Sequence, residues 1–145
     1  MKRIGLFIVA LALALSPLAF LHPVRIQGES MVPTLRDGEL HFALRAWCSS
    51  PPKPGQIWLV RTPEGDAVKR VLALPDQDLV LRRGEFQRDG HPLAEPYVQY
   101  PEPGEGGPWA AGKGYLVLGD NRPASRDSRA WGALPREAFE SRVIK

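Results

Sequence analysis

One apolar block stands apart from everything that follows it. Residues 4 to 21 form an 18-residue run in which only Gly5, Ser16 and Pro17 are not clearly apolar. As a helix it would span about 27 Å, just short of a hydrocarbon core of about 30 Å. Beyond it the pattern breaks into short segments between turns. Arg36-Asp37-Gly38-Glu39 reads as a turn, and Leu40 to Arg45 alternates as a strand. Ser49 to Gly55 is a proline-rich loop before a second strand, Gln56 to Arg61. Glu64-Gly65-Asp66 turns into Ala67 to Leu74, an apolar stretch holding Lys69 and Arg70, which as strand neighbours must face opposite sides. Leu79 to Arg82 is another strand, and Arg88-Asp89-Gly90-His91 carries a hairpin Asp-Gly. Tyr100 to Gly114 reads as a surface loop, Tyr115 to Leu118 as a short buried strand, and Pro135 as the start of a helical turn before a last strand at Arg142 to Ile144. No repeat is evident. Many short strands at turn-bounded spacing predict a mainly β, barrel-like antiparallel domain over residues 22–145, behind one N-terminal transmembrane helix over residues 1–21.

The block has two readings. Lys2-Arg3 before an apolar run is also the start of a removable signal peptide. The small residues Ala12-Leu13-Ala14, however, lie deep inside the run, and Ala14-Leu15-Ser16 is followed by Pro17, a poor fit to an extended protease substrate. A retained anchor is the favoured reading. Lys2 and Arg3 place the N-terminus in the cytoplasm and residues 22–145 outside it, although Arg25 and Arg36 weaken the bias.

Charge then removes one class of function. The formal charge is +3, but residues 22 to 145 carry 17 basic against 16 acidic groups, intermixed. That leaves no basic footprint for nucleic acid. Cys48 is the sole cysteine, so no intramolecular disulfide can form. His22, His41 and His91 have no metal-site spacing and read as structural or surface residues.

Three places carry candidate chemistry. Ser30 lies nine residues past the apolar run, in Gly28-Glu29-Ser30-Met31-Val32-Pro33-Thr34-Leu35. Nine extended residues reach at most about 30 Å, so Ser30 stays near the bilayer. A serine hydroxyl needs a base. Lys69, between Val68 and Val71, would be one if burial kept it neutral, although alone it reads more simply as a surface lysine on an edge strand. Gly119 to Trp131 then packs Asp120, Arg122, Ser125, Arg126, Asp127, Ser128 and Arg129 into one loop. Ser125 or Ser128 would aim the lysine's lone pair, with Asp127 and Arg129 bracing the loop as an ion pair.

These segments, with Val68-Lys69-Arg70-Val71 between them, resemble the ordered signature segments of type I signal peptidases, in the family's order and behind its N-terminal anchor. The resemblance implies a membrane-bound serine endopeptidase that removes signal peptides after a small-x-small motif, without metal or cofactor. Ser30 matches the acylating nucleophile, Lys69 the general base, and Ser125 the hydroxyl that orients it. Arg70, Asp120, Asp127 and Arg129 match the supporting polar shell, while Met31 and Pro33 match residues that shape the nucleophile turn. The oxyanion hole is expected from the Ser30 N–H with one further donor. The implied partners are preprotein signal peptides and the lipid bilayer, with the secretion translocon as a further candidate.

The sequence departs from the family at a few positions. Gly28 stands where some members carry a serine that donates to the oxyanion. Leu74-Pro75-Asp76-Gln77-Asp78 departs from the usual Leu-Pro-Gly-Asp, and Ala73 replaces a glycine. Little chain remains for the large accessory subdomain of longer members. Three rivals stand beside this reading: a self-cleaving SOS-repressor-type Ser–Lys peptidase, a peptidase for conjugative pilin maturation, and a catalytically dead β-domain that binds exported peptides. The first would need a DNA-binding module where this chain has an apolar block.

Overall fold

A computed structural model describes residues 20–145. The described residues form ten strands in two antiparallel sheets. The larger sheet has the order β1-β2-β10-β3-β4-β9, built from β1 (Leu21–Arg25), β2 (Leu40–Arg45), β3 (Ile57–Thr62), β4 (Gly65–Ala73), β9 (Leu116–Leu118) and β10 (Phe139–Ile144). The smaller has the order β7-β6-β5-β8, from β5 (Asp78–Arg82), β6 (Glu85–Arg88), β7 (His91–Pro92) and β8 (Gly106–Ala110).

The expected mainly β antiparallel architecture is present, but no closed barrel. Closure needs edge strands long enough to meet at a matched tilt. Here β9 has only three residues before the chain turns away at Gly119, and β4 hands the chain to the second sheet after Ala73. The predicted transmembrane helix falls outside the described residues up to residue 19. Among the described residues no helix is long and apolar enough to cross a membrane. Leu21, the last residue of the apolar run, already begins β1 and pairs with Leu44.

Two strands escaped the sequence pattern. Strand β8 lies in what reads as a surface loop, because Gly106, Gly107 and Pro108 give no alternation. A proline is tolerated there because β8 is an edge strand. Trp109 explains the glycines: a Cβ on Gly106 would sit 2.7 Å from its ring, which in turn packs 5.9 Å from that of Phe86. Strand β1 was hidden by Leu21 belonging to the apolar run and by Pro23 interrupting the alternation.

Three buried clusters hold the molecule. One packs Trp58, Val60, Val71, Tyr115, Val117 and Phe139. The second joins the sheets through Leu72, Leu79, Leu81, Phe86, Leu116 and Leu118. The third, with Val24, Ile26, Met31, Leu35, Ala43, Ile57 and Val143, lies under the segment after β1. Strand β9 divides its side chains between two of them, Leu116 and Leu118 on one side and Val117 on the other, as the strand period requires.

Candidate active site

The turn that carries Ser30 is pinned from below. Met31 and Leu35 are fully buried in the third cluster, and the Leu35 N–H donates to the Met31 carbonyl at 2.9 Å. The Ile26 N–H donates to Glu39 at 2.8 Å, and the Gly38 N–H returns to Ile26 at 2.9 Å, closing the base of the loop. Between these anchors Ser30 is half-buried, while Gly28, Glu29 and Pro33 are exposed. Gly28 adopts φ +79° and donates its N–H to Asp37 Oδ1 at 2.7 Å. That N–H is therefore committed to the turn.

Lys69 and Arg70 lie near the centre of β4, side by side and on opposite faces, and both are buried. Lys69 is 3% exposed, and its Nζ donates to Ser125 Oγ at 3.1 Å. Ser125 in turn donates to Asp127 Oδ2 at 2.7 Å. Burial pushes the Lys69 ammonium below its ordinary value, since a charge loses water there. The Asp127 and Asp120 carboxylates draw it partly back, and Arg129 opposes them.

On the other face, Arg70 makes a bidentate pair with Asp120, Nε to Oδ1 at 2.8 Å and Nη2 to Oδ2 at 2.6 Å. Its Nη1 donates to the Gly55 carbonyl at 2.7 Å. The Thr34 hydroxyl donates to Asp120 Oδ2 at 2.5 Å, which ties the Ser30 turn to this pair. The Tyr97 ring covers the guanidinium, 3.8 Å from centroid to Cζ. The pair thus bolts β4, the end of β9 and the Ser30 turn together, on the face of β4 opposite the Lys69 side chain.

The two seryl segments meet at Gly119. A Cβ built on it would lie 2.2 Å from Ser125 Oγ and 2.5 Å from the Ser30 carbonyl oxygen. No side chain fits, so glycine alone lets the Ser125 loop and the Ser30 turn approach this closely. The next residues fix the approach. The Asn121 N–H donates to the Ser30 carbonyl at 3.0 Å, and Asn121 Nδ2 donates to the Glu29 carbonyl at 3.1 Å.

Asp127 organises the rest of the loop. It receives the Gly119 N–H at 3.0 Å and caps the short helix α1 (Ser128–Trp131). It also takes Arg129 Nε at 2.8 Å and Nη2 at 2.9 Å. Of the two serines open as the lysine's partner, Ser125 is the one in contact. Ser128 is buried and its Oγ accepts the Val117 N–H at 2.9 Å, holding the loop to β9.

The structure therefore brings the singled-out residues into three connected groups: Lys69 with Ser125, Asp127 and Arg129; Arg70 with Asp120; and Ser30 with the turn residues Gly28, Met31 and Pro33. Sequence reasoning missed Thr34, Tyr97 and the separate work of Gly119 and Asn121. Thr34, Gly119 and Asn121 sat inside motifs already marked. Nothing marked Tyr97, which lies outside every motif. Alongside, a groove of about 350 Å³ runs between β1 and β4, lined by His22, Val24, Gln27, Leu59, Asp66 and Val68.

The comparisons with known proteins point one way. The profile "Signal peptidase, peptidase S26" matches residues 1–144. The chain is 38% identical to the probable signal peptidase I-1 of Synechocystis over 94% of its own length and 76% of the relative's. It is 34% identical to signal peptidase I of Leptolyngbya laminosa, over 99% and 75% of the two lengths. The crystal structure of a signal peptidase I from Enterococcus faecalis superposes with a TM-score of 0.55 at 25% identity, covering 66% of this chain and 98% of that one. The chain belongs to the signal peptidase family, peptidase S26.

Proposed function

We propose that this chain cleaves signal peptides from exported preproteins after a small-x-small motif, with Ser30 as nucleophile and Lys69 as general base. One observation carries the reading. The Lys69 amine on β4 is stripped of water and held by Ser125, whose loop shares the space at Gly119 with the Ser30 carbonyl.

In the neutral state Lys69 keeps an N–H for Ser125 and a free lone pair for the Ser30 hydroxyl. The amine takes the Ser30 proton as Oγ attacks the scissile carbonyl carbon. The Ser30 N–H, which donates to no other group among the described residues, faces the developing oxyanion. With the Gly28 N–H given to Asp37, the second donor must come from another group or from water. The resulting Lys69 ammonium passes its proton to the leaving amine, and the C–N bond breaks. Lys69 then deprotonates a water that attacks the acyl-enzyme; the ester C–O bond breaks, the lysine proton returns to Ser30 Oγ, and the signal peptide leaves with a new carboxylate.

The groove between β1 and β4 suits the substrate. Strand β1 is a sheet edge with one side unpaired, so an extended peptide can add to it as a strand. Alternate side chains would then enter the narrow apolar floor at Val24, Leu59 and Val68.

The membrane placement belongs to the same proposal, with residues 1–21 as anchor and 22–145 as the extracytoplasmic domain. Leu40, Phe42, Trp47 and Ile144 are exposed large apolar side chains, and Phe42 and Ile144 are direct cross-strand partners. The Phe20 ring, at the end of the apolar run, lies 5.5 Å from Trp47. That patch continues the run onto the folded domain, which fits a face resting on lipid.

The test is cleavage of a peptide with Ala-x-Ala before its cut site, by the detergent-solubilised protein and by Ser30→Ala. Cleavage after the second alanine, absent in the variant, is expected. A folded wild-type protein that binds the peptide without cleaving it would favour the peptide-binding reading instead.

A further inference from the structure

Residues 93–105 leave β7 at one edge of the four-stranded sheet and enter β8 at the opposite edge. The crossing is fastened at both ends. The Leu93 N–H donates to Phe86 at 2.8 Å, and the Gly84 N–H donates to Gly104 at 3.0 Å. Between these points it contacts Arg70, Arg122 and Arg129. Glu95 receives Nη1 and Nη2 of the buried Arg122 at 3.2 and 2.5 Å. Tyr97 covers Arg70 and donates its hydroxyl to Glu95 at 2.9 Å. Tyr100 forms a parallel bridge with Asn121, the residue that holds the Ser30 carbonyl. Glu102 pairs with Nη1 of Arg129.

Packing does not explain this arrangement on the side of Ser125. A cavity of about 370 Å³ separates the crossing from the loop there, lined by Glu102, Trp109, Ser125, Asp127 and Arg129 among others. Across this open groove the crossing meets the loop through directed charge pairs, Glu102 with Arg129 and Glu95 with Arg122. Arg129 is the hinge of the system. Its Nε and Nη2 face Asp127, and Nη2 also donates to the Arg122 and Ser125 carbonyls at 2.8 and 3.0 Å. Glu102 takes the remaining outward nitrogen and so fixes the plane of the guanidinium.

We propose that residues 93–105 form a positioning strap, in which Glu102 and Glu95 hold Arg129 and Arg122 and thereby keep Ser125 and Asp127 aligned on the Lys69 amine. This rests on Lys69 being the general base. The strap touches neither Lys69 nor Ser30, so Glu102 and Glu95 are positioning residues. The charged groups acting on Lys69 are Asp127, Arg129 and Asp120, the last paired with Arg70. Glu102 is not among them. Its removal therefore acts through Arg129, whose looser grip leaves Asp127 less neutralised and the lysine easier to protonate.

The full chain in detergent, as Glu102→Ala, Glu102→Gln and Glu102→Asp, is assayed across pH on an Ala-x-Ala peptide beside Lys69→Ala, with thermal melting as a folding control. Glu102→Ala is expected to lower kcat by about tenfold with KM nearly unchanged. The acid limb of its kcat/KM profile moves up by about half a pH unit. Glu102→Asp restores most of the rate, and Glu102→Gln carries the test if the alanine variant does not fold. Wild-type kcat and acid limb in Glu102→Gln, or a melting shift without either change, would overturn the strap. An active Lys69→Ala would instead overturn the general-base reading, whatever Glu102 does.

Discussion

Lys69 shows what a single residue contributes when its surroundings oppose its charge. Burial disfavours the ammonium, and the folded state therefore binds fewer protons than the unfolded chain between the lowered value and the ordinary 10.5. Across that window stability rises with pH, while in the proposed mechanism activity rises at its lower end, where the neutral amine becomes populated. Below the window the full penalty of a buried cation remains. Lys69→Met is accordingly expected to abolish cleavage while raising stability at neutral pH by about 1 kcal/mol, read by denaturant unfolding. Lys69→Arg should be inactive as well, because a guanidinium stays protonated. The closeness of Lys69 to Ser125 was legible because one loop concentrates hydroxyls and opposite charges. The choice between Ser125 and Ser128 did not follow from the residues themselves, since it depends on which hydroxyl the backbone of β9 claims, and only the family resemblance singled out Ser125.

At the scale of elements, β4 and the loop after β9 divide the work by parity. Lys69 and Arg70 are strand neighbours, so one meets Ser125 and the other pairs with Asp120 on the opposite face. The alternation of strand neighbours made that division readable in advance. The length of β1 and the existence of β8 were not readable, because proline and glycine erase the period-two pattern at edge strands. The turn after β4 shows the reverse: Asp76 takes φ +64°, a left-handed conformation that glycine favours and that the residue type alone does not announce. Two outcomes follow at this scale. Asp120→Ala leaves the Arg70 guanidinium buried without its partner and is expected to cost about 3 to 5 kcal/mol, seen as a lowered melting temperature. Gly119→Ala inserts a methyl into occupied space and should remove most activity by parting the Ser30 turn from the Ser125 loop, a loss measurable in kcat.

For the molecule as a whole, the charged machinery and the exposed apolar patch occupy different parts of the larger sheet. Phe42, Trp47 and Ile144 lie on or beside β2 and β10, while Lys69 and Arg70 are on β4. A substrate emerging from a membrane would then meet β1, the edge strand that follows directly from the apolar run. Replacing Phe42 and Trp47 together with serine should weaken binding of vesicles of neutral lipid by the 22–145 fragment, if that fragment folds, without lowering cleavage of a soluble peptide. Equal vesicle binding by fragment and variant would remove the patch from the account. The two-sheet division itself was beyond the sequence pattern. Short strands at regular spacing describe a closed barrel and two open sheets equally well, and only the pairing of β5 with β8 and of β4 with β9 separates them.

In the proposed mechanism a neutral, buried Lys69 activates Ser30. The most direct measurement titrates the Lys69 side chain by NMR in Ser30→Ala and compares it with the acid limb of kcat/KM in the wild-type enzyme. Both midpoints are expected to coincide and to lie below the ordinary lysine value. A Lys69 that titrates at 10.5 while cleavage proceeds at neutral pH, or an acid limb unrelated to its titration, would contradict it.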